Sequence, residues 1–347
     1  MNYDELCIDH AATVRDAMRQ LDHTSKKILF VMEGQRLRGT LTDGDIRRFL
    51  LSGGKMDASA ADAAHRHPKA AKSAKGARTL LVSGGGRLMA VPVVDDAGTL
   101  LDIVLEAEGS DPPPPQLHLP VVIMAGGMGK RLDPYTRILP KPLIPVGDLP
   151  IIEHIMQRFL RYGCSEFHIV VNYKRELLKA YFKDNQEGYC IHWYDEDRPL
   201  GTGGGLSLLK GRLRKTFFLT NCDILLRSDY AKMEEFHRTG HNAVTIIGAC
   251  KNLTIPYGVV ETGEGGVITA FREKPELSFL TNTGLYLVEP EVLEDISGDS
   301  PQGFPDIIDG QRNKGRRTAV YPVSEEEWLD MGQLEELENM RKKLSET

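Results

Sequence analysis

Between Val121 and Gly147 the chain reads VVIMAGGMGKRLDPYTRILPKPLIPVG, a short apolar run, then glycines, Lys130 and Arg131, and finally Lys141 between two prolines. A glycine turn between a strand and a helix lets backbone amides close on an anion, and nearby cations neutralise phosphate charge. Two phosphate-loop templates fail here. The dinucleotide pattern G-x-G-x-x-G, begun at Gly127, finds Leu132 in place of its third glycine, which speaks against a dinucleotide-dependent dehydrogenase. The P-loop pattern needs Ser or Thr after Gly-Lys and a glycine upstream, but Gly129-Lys130 is followed by Arg131, and Met124 holds the upstream position. What remains is a set of backbone amides from Ala125, Gly126, Gly127 and Gly129, the planar donor fork of Arg131, and Lys141 on a proline-fixed backbone. That set suits phosphoryl or nucleotidyl transfer, where positioning and charge neutralisation supply most of the catalysis.

These groups need a scaffold. Val121 to Ala125 is continuously apolar, and PIIEHIMQRFLRYG puts Ile151, Ile152, Ile155, Met156, Phe159 and Leu160 on one helical stripe opened by Pro150 and closed by Gly163. EFHIVVNY then reads as a strand, KRELLKAYFKD as a helix, and CIHWYDE and TFFLTNCDIL as strands. Such alternation predicts an α/β fold, a Rossmann-like, mostly parallel sheet with helices on both faces. In YGVVETGEGGVITAFREKP the pattern changes to a glycine-turned hairpin, which predicts an antiparallel addition at one end of the sheet. Ligands of open parallel sheets bind beyond the carboxyl ends of the strands, where both the glycine loop and Asp223 fall.

The 347 residues exceed what one core usually serves, so two domains are expected. A net charge of -6 argues against a nucleic-acid surface but leaves room for a local basic anion site. No apolar run reaches the roughly 18 residues of a membrane span, and MNYDELCIDH is acidic where a secretory signal is basic, so a cytoplasmic protein without membrane partners is expected. The five cysteines are scattered and never spaced C-x-x-C, and no H-E-x-x-H occurs, so sequence motifs indicate neither disulfides nor structural zinc. Four consecutive prolines in GSDPPPPQLHLP enforce a stiff spacer, which divides the chain into residues 1–110, a linker at 111–119, and 120–347.

Residues 1–110 contain a weak repeat of helix, strand, hairpin and strand, and one such unit cannot bury its sheet alone. The segment resembles a tandem pair of CBS modules, a small α/β domain. In the first copy GTLTDGDIRR matches the G-x-x-T-x-x-D signature through Gly39, Thr42 and Asp45. The resemblance implies that Thr42 and Asp45 face the phosphate and ribose of an adenine nucleotide; the alternative is that they cap the following helix. The second copy, ending LLDIVLEAEG, lacks both residues.

Residues 120–345 resemble the sugar-1-phosphate nucleotidyltransferases. Besides the glycine loop, RPLGTGGGLSLL, FLTNCDIL, PYGVVE, FREKP, TNTGLY and WLDMG follow the order of that family's motifs. The resemblance implies attack by a sugar-1-phosphate on the α-phosphorus of a nucleoside triphosphate, with pyrophosphate leaving and Mg²⁺ held by Asp223 and Asp330. It implies that Arg131 holds the β and γ phosphates and that Lys141 neutralises the reacting centre. Gly201, Thr202 and Gly203 would lie against the nucleoside, with Glu196 or Asp197 accepting from a guanine edge. Gly258, Glu273 and Asn282 would contact sugar hydroxyls, and Lys274 the sugar phosphate. Gly129-Lys130-Arg131, Asn221-Cys222-Asp223 and Gly201-Thr202-Gly203-Gly204 depart from the common forms G-T-R, N-G-D and G-T-A-G. With the CBS-like segment, the departures look similar to mannose-1-phosphate or glucosamine-1-phosphate guanylyltransferases that serve surface sugars and nonulosonic, legionaminic-type acids. GTP is then the expected donor, with uridylyl or cytidylyl transfer as the enzyme alternative and an inactive nucleotide sensor as the non-enzyme one. The resemblance also implies a homo-oligomer.

Overall fold

Alternate residues of one strand enter two different cores. Val121, Ile123 and Ala125 pack with Ile151, Ile152, Ile155 and Phe159 of the helix Ile151–Leu160, while Val122 and Met124 pack with Phe304, Ile307 and Ile308 of the helix Phe304–Asn313. A strand covered on both faces has no polar side, which is why Val121–Ala125 reads as an unbroken apolar run and is buried throughout. The computed structural model describes residues 4–24, 27–83, 88–105, 114–183 and 188–345. Its backbone falls into two units, Met1–Pro112 and Pro113–Thr347.

The larger unit holds a seven-stranded sheet in the order Cys190–Asp195, Glu166–Val171, Val121–Ala125, Phe217–Asn221, Glu276–Val288, Val244–Thr254 and Thr318–Ser324. The first four strands are mutually parallel, and Val244–Thr254 runs parallel to Thr318–Ser324. Only Glu276–Val288 runs against both of its neighbours. The sheet is therefore mostly parallel with helices on both faces, as the alternation predicts. The antiparallel element needs correction. The glycine-turned hairpin does form, Val259–Thr262 against Ile268–Arg272, yet the reversed strand that follows it lies inside the sheet rather than at its end. The reason is length: Val244–Thr254 and Glu276–Val288 span 11 and 13 residues, so one part serves the sheet and the rest extends past it as a two-stranded arm carrying the hairpin.

In the smaller unit, Cys7–Asp9, Ile28–Glu33 and Arg36–Thr42 form one sheet, and Ala90–Val94 with Leu100–Leu105 forms another. Ile28, Phe30 and Met32 share a core with Ala90 and Ile103, so each half of this unit supplies part of the other's burial. Thr42 caps the helix Asp43–Leu51: its hydroxyl accepts from the Asp45 amide at 3.2 Å, and the Asp45 carboxylate accepts from the Thr42 amide at 2.9 Å. Both signature side chains are thus engaged in a capping box.

Part of the expected spacer, 111–113, lies outside the described residues. The rest, 114–119, packs on the larger unit: the Leu117 amide donates to the Tyr162 carbonyl at 2.7 Å, the Gln116 side chain donates to the Arg161 carbonyl at 3.2 Å, and Leu117 and Leu119 lean on the main core. Among the described residues no helix is long and apolar enough to cross a membrane.

Two outcomes follow from these contacts. Thr42→Ala removes one cap bond and lowers the opening free energy of the helix Asp43–Leu51 by about 1 kcal/mol, measured by amide hydrogen exchange on the full chain. A fragment beginning at Pro114 keeps the contacts of Gln116 and Leu117 and melts at a higher temperature than one beginning at Pro120; equal melting temperatures would make those contacts irrelevant to stability.

Candidate active site

The glycine loop is shaped by close approaches. Gly129 has φ 65°, and a Cβ there would come within 2.8 Å of Thr136 Cγ2 and 3.2 Å of Lys141 Cβ, so no other residue fits the turn. A Cβ on Gly126 would meet the Glu196 carboxylate at 2.4 Å, whereas one on Gly127 would meet nothing within 4 Å, leaving that backbone open to a ligand. Lys130–Leu132 is a single 3₁₀ turn, and Leu132 is fully buried in the main core. This explains the failed dinucleotide template: the position is an anchor, where the template requires bare backbone. Lys130 and Arg131 are exposed.

Beyond the loop stands an ionic cluster. Lys141, 9% exposed, donates to the Asp223 carboxylate in a part-buried ion pair. Asp223 and Asp330 are brought together by a short antiparallel pairing of Ile224–Leu226 with Trp328–Asp330, in which Ile224 opposes Asp330 and the Met331 amide donates to the Asp223 carbonyl at 2.8 Å. Burial, followed by the charges of Asp223 and Glu336, pushes the Asp330 carboxyl up to about 6, while Lys141 and Arg131 pull it down. Glu336, on the helix Leu334–Ser345, has one buried carboxylate oxygen without a hydrogen-bond partner. Gly332 makes room for it, since a Cβ there would lie 3.0 Å from Glu336 Oε2 and 3.3 Å from the Asp330 carboxylate. Negative charge therefore exceeds what Lys141 balances, and carboxylate oxygens are hard donors of the kind that suit a divalent cation. Sequence reasoning misses Glu336, because the stretch GQLEELENMRKKLSE reads only as a charged helix and carries no local mark of what its glutamates meet. Cys222, in the departure from N-G-D, has its thiol pushed up to about 12 by burial and the Asp223 charge, so it stays protonated and unreactive.

The remaining residues occupy two other places. Glu196 is 5% exposed, accepts from the Leu200 amide at 3.3 Å, and sits between Gly126 and Gly205, with burial raising its pKa; Asp197 is exposed. Gly201 and Gly203 are demanded by the protein itself. A Cβ at Gly201 would meet the Gln302 carbonyl oxygen at 2.7 Å, and one at Gly203 the Gly303 backbone at 2.8 Å. Thr202 accepts from the Phe304 amide at 3.3 Å. On the arm, Gly258 and Glu273 are neighbours, because a Cβ on Gly258 would lie 3.0 Å from Glu273 Oε2. Lys274 follows with φ 44°, a left-handed backbone unusual for a side-chain-bearing residue. Asn282, at the arm's base, donates to the Tyr286 hydroxyl at 2.7 Å. The structure thus joins Lys141, Asp223 and Asp330 with Glu336, places Glu196 behind the loop, and puts Gly258, Glu273 and Lys274 on the exposed arm.

The raised Asp330 pKa has a definite sign. Ionising a group whose folded pKa lies above its unfolded value disfavours the fold, so the cost is present above pH 6 and disappears as pH falls through about 6 toward 4. With chelator present, Asp330→Asn should raise the melting temperature at pH 8 by a few degrees, and the difference from the parent should shrink at pH 5. A gap independent of pH would show that Asp330 ionisation is not its origin.

Residues 120–347 match the family model described as Nucleotidyl transferase, and residues 1–52 match the CBS domain model. The chain is 33% identical over 226 residues to a mannose-1-phosphate guanylyltransferase of Mycobacterium tuberculosis, a match covering 61% of this chain and 60% of that protein. It is 30% identical over 226 residues to a mannose-1-phosphate guanyltransferase of Debaryomyces hansenii, with the same coverage of 61% and 60%. The chain thus spans about 60% of the length of the curated relatives it matches. The crystal structure of HddC from Yersinia pseudotuberculosis superposes with a TM-score of 0.51 at 22% identity, covering 65% of this chain and 99% of that one, and shares its fold. With the family model spanning more than half of the sequence, from the glycine loop through the Asp330 cluster, the chain belongs to the nucleotidyl transferase family.

Proposed function

We propose that the chain transfers a nucleoside monophosphate from a nucleoside triphosphate to a sugar-1-phosphate, releasing pyrophosphate and an NDP-sugar. The observation that carries this reading is the cluster of Lys141, Asp223, Asp330 and Glu336 beside an open glycine loop. Backbone amides from Ala125 to Gly129, with Arg131, hold the β and γ phosphates and stabilise the departing pyrophosphate. Lys141 lowers the charge at the reacting centre, its ammonium fixed by Asp223. Asp223 and Asp330, joined by Glu336, would hold a divalent cation, Mg²⁺ in this proposal, which supplies charge screening between two anionic reactants. The attacking oxygen comes from the sugar phosphate, so no covalent enzyme intermediate is involved.

GTP is the proposed donor. The support is that the relatives named above carry guanylyltransferase names; Glu196, whose carboxylate lies against the loop at Gly126, is the proposed acceptor from a guanine edge. Gly258, Glu273 and Asn282 are the proposed contacts to sugar hydroxyls and Lys274 to the sugar phosphate. The product would feed surface-sugar synthesis of the nonulosonic, legionaminic type. The smaller unit would sense an adenine nucleotide through Thr42 and Asp45 or support self-association.

Pyrophosphate release over a panel of four triphosphates and several hexose-1-phosphates tests the reading. GTP with mannose-1-phosphate or glucosamine-1-phosphate should turn over fastest. No turnover with any pair would favour a nucleotide sensor instead. Asp223→Asn should lower kcat by on the order of 1000-fold with an unchanged circular dichroism spectrum; a near-normal rate would remove Asp223 from the reacting centre.

A further inference from the structure

We infer that the edge of the sheet, at the end opposite the glycine loop, carries a transition-metal site of the zinc type, built by Glu166, His168 and His192 with Cys190 as the fourth ligand. The two outer parallel strands, Cys190–Asp195 and Glu166–Val171, pair so that Cys190 opposes Glu166 and His192 opposes His168. Side chains two apart on a strand share a face, so one register puts all four groups on the same surface. The ligand atoms of Glu166, His168 and His192 already converge. Glu166 Oε1 lies 3.1 Å from His168 Nε2 and 3.9 Å from His192 Nε2, and the three donor atoms all fall within 4.8 Å of one another. Cys190 Sγ lies 3.7 Å from His192 Nε2. Tetrahedral zinc with bonds of about 2.0–2.1 Å to nitrogen or oxygen and about 2.3 Å to sulfur requires ligand separations of roughly 3.3–3.6 Å.

The surroundings suit a metal rather than a bare ion pair. His168 is almost fully buried, and its Nδ1 lies 2.9 Å from the Tyr194 hydroxyl, the kind of outer partner that fixes a tautomer and turns Nε2 toward a ligand. His192 stacks on His168 with ring centroids 4.8 Å apart, and Glu166 and His192 remain open to solvent, so an ion can enter. No C-x-x-C or H-E-x-x-H motif announces this arrangement, because the ligands alternate along two strands and meet only through their pairing.

Both strands begin within this cluster, whereas the glycine loop and Asp223 follow the carboxyl ends of their strands, so the site stands apart from the reacting centre. Its effect would be to clip the outermost strand to its neighbour. Titration of the full chain with Zn²⁺ against a competing chelator should find one tight site that persists in Asp330→Asn, where the acidic cluster is weakened. His192→Ala should abolish that binding and leave basal turnover unchanged. Tyr194→Phe should weaken it about tenfold. With Co²⁺ as the probe, a thiolate-to-metal charge-transfer band should be present in the parent and absent in Cys190→Ser. Full zinc affinity in His192→Ala, absence of tight zinc binding in the parent, or survival of the band in Cys190→Ser would overturn the assignment.

Discussion

The short pairing of Ile224–Leu226 with Trp328–Asp330 forces like charges together, and much of the candidate site can be understood as a response to that constraint. Its register sets Asp330 opposite Ile224, immediately after Asp223. Isolated carboxylates in a half-buried setting disfavour ionisation, and the chain answers in two ways. Lys141 is buried against Asp223 on a backbone limited by Pro140 and Pro142, so one carboxylate is balanced within the protein. Asp330 and Glu336 are left with charge in excess, expressed as a raised Asp330 pKa and an unpartnered Glu336 oxygen. Such an excess of half-buried carboxylate charge costs stability, and a bound cation would offset it. The same Lys141 limits the glycine loop, because its Cβ stands where a side chain at Gly129 would go.

The parts of the fold legible in the sequence are those set by local period. The apolar run at Val121 and the helical stripe from Ile151 encode burial directly, and both were placed correctly. Less visible were features set by the meeting of distant segments. The place of Glu276–Val288 inside the sheet depends on its length and on two partners rather than on its hairpin signal. Gly201 and Gly203 looked like clearance for a nucleoside, yet the backbone of Gln302 and Gly303 already requires them to be small. Glu336 was hidden because a glutamate on a charged helix has no local mark of its partners. The carboxylate it acts on is Asp330, whose own place is set by pairing with Ile224–Leu226.

The residues of the arm are largely exposed. Tyr257, Phe271 and Phe279 are 74%, 63% and 52% exposed, so side chains there are not held by a core. Gly258 and Glu273 are nonetheless fixed relative to each other by a close approach, and Lys274 adopts a left-handed backbone at a cost of roughly 1–2 kcal/mol. Such strain at an exposed turn aims a cation that a relaxed backbone would point elsewhere. Sugar selection by the arm would then depend on its angle to the sheet, set by the paired strands Val244–Thr254 and Glu276–Val288, and not on the Asp223 cluster.

The N-terminal cap limits what a ligand of the smaller unit can be. Asp45 already accepts from the Thr42 amide and hydroxyl through one oxygen, and Arg48 pairs with the other. An ionised carboxylate offers about four acceptor positions, so roughly one remains. A phosphate brought to Asp45 would meet a charge of its own sign. Ribose hydroxyls, which donate, can use the remaining position without breaking the cap. A nucleotide bound there would keep its sugar at Asp45 and seek cations for its phosphate elsewhere, so ligand binding would reinforce the helix Asp43–Leu51 instead of competing with its cap.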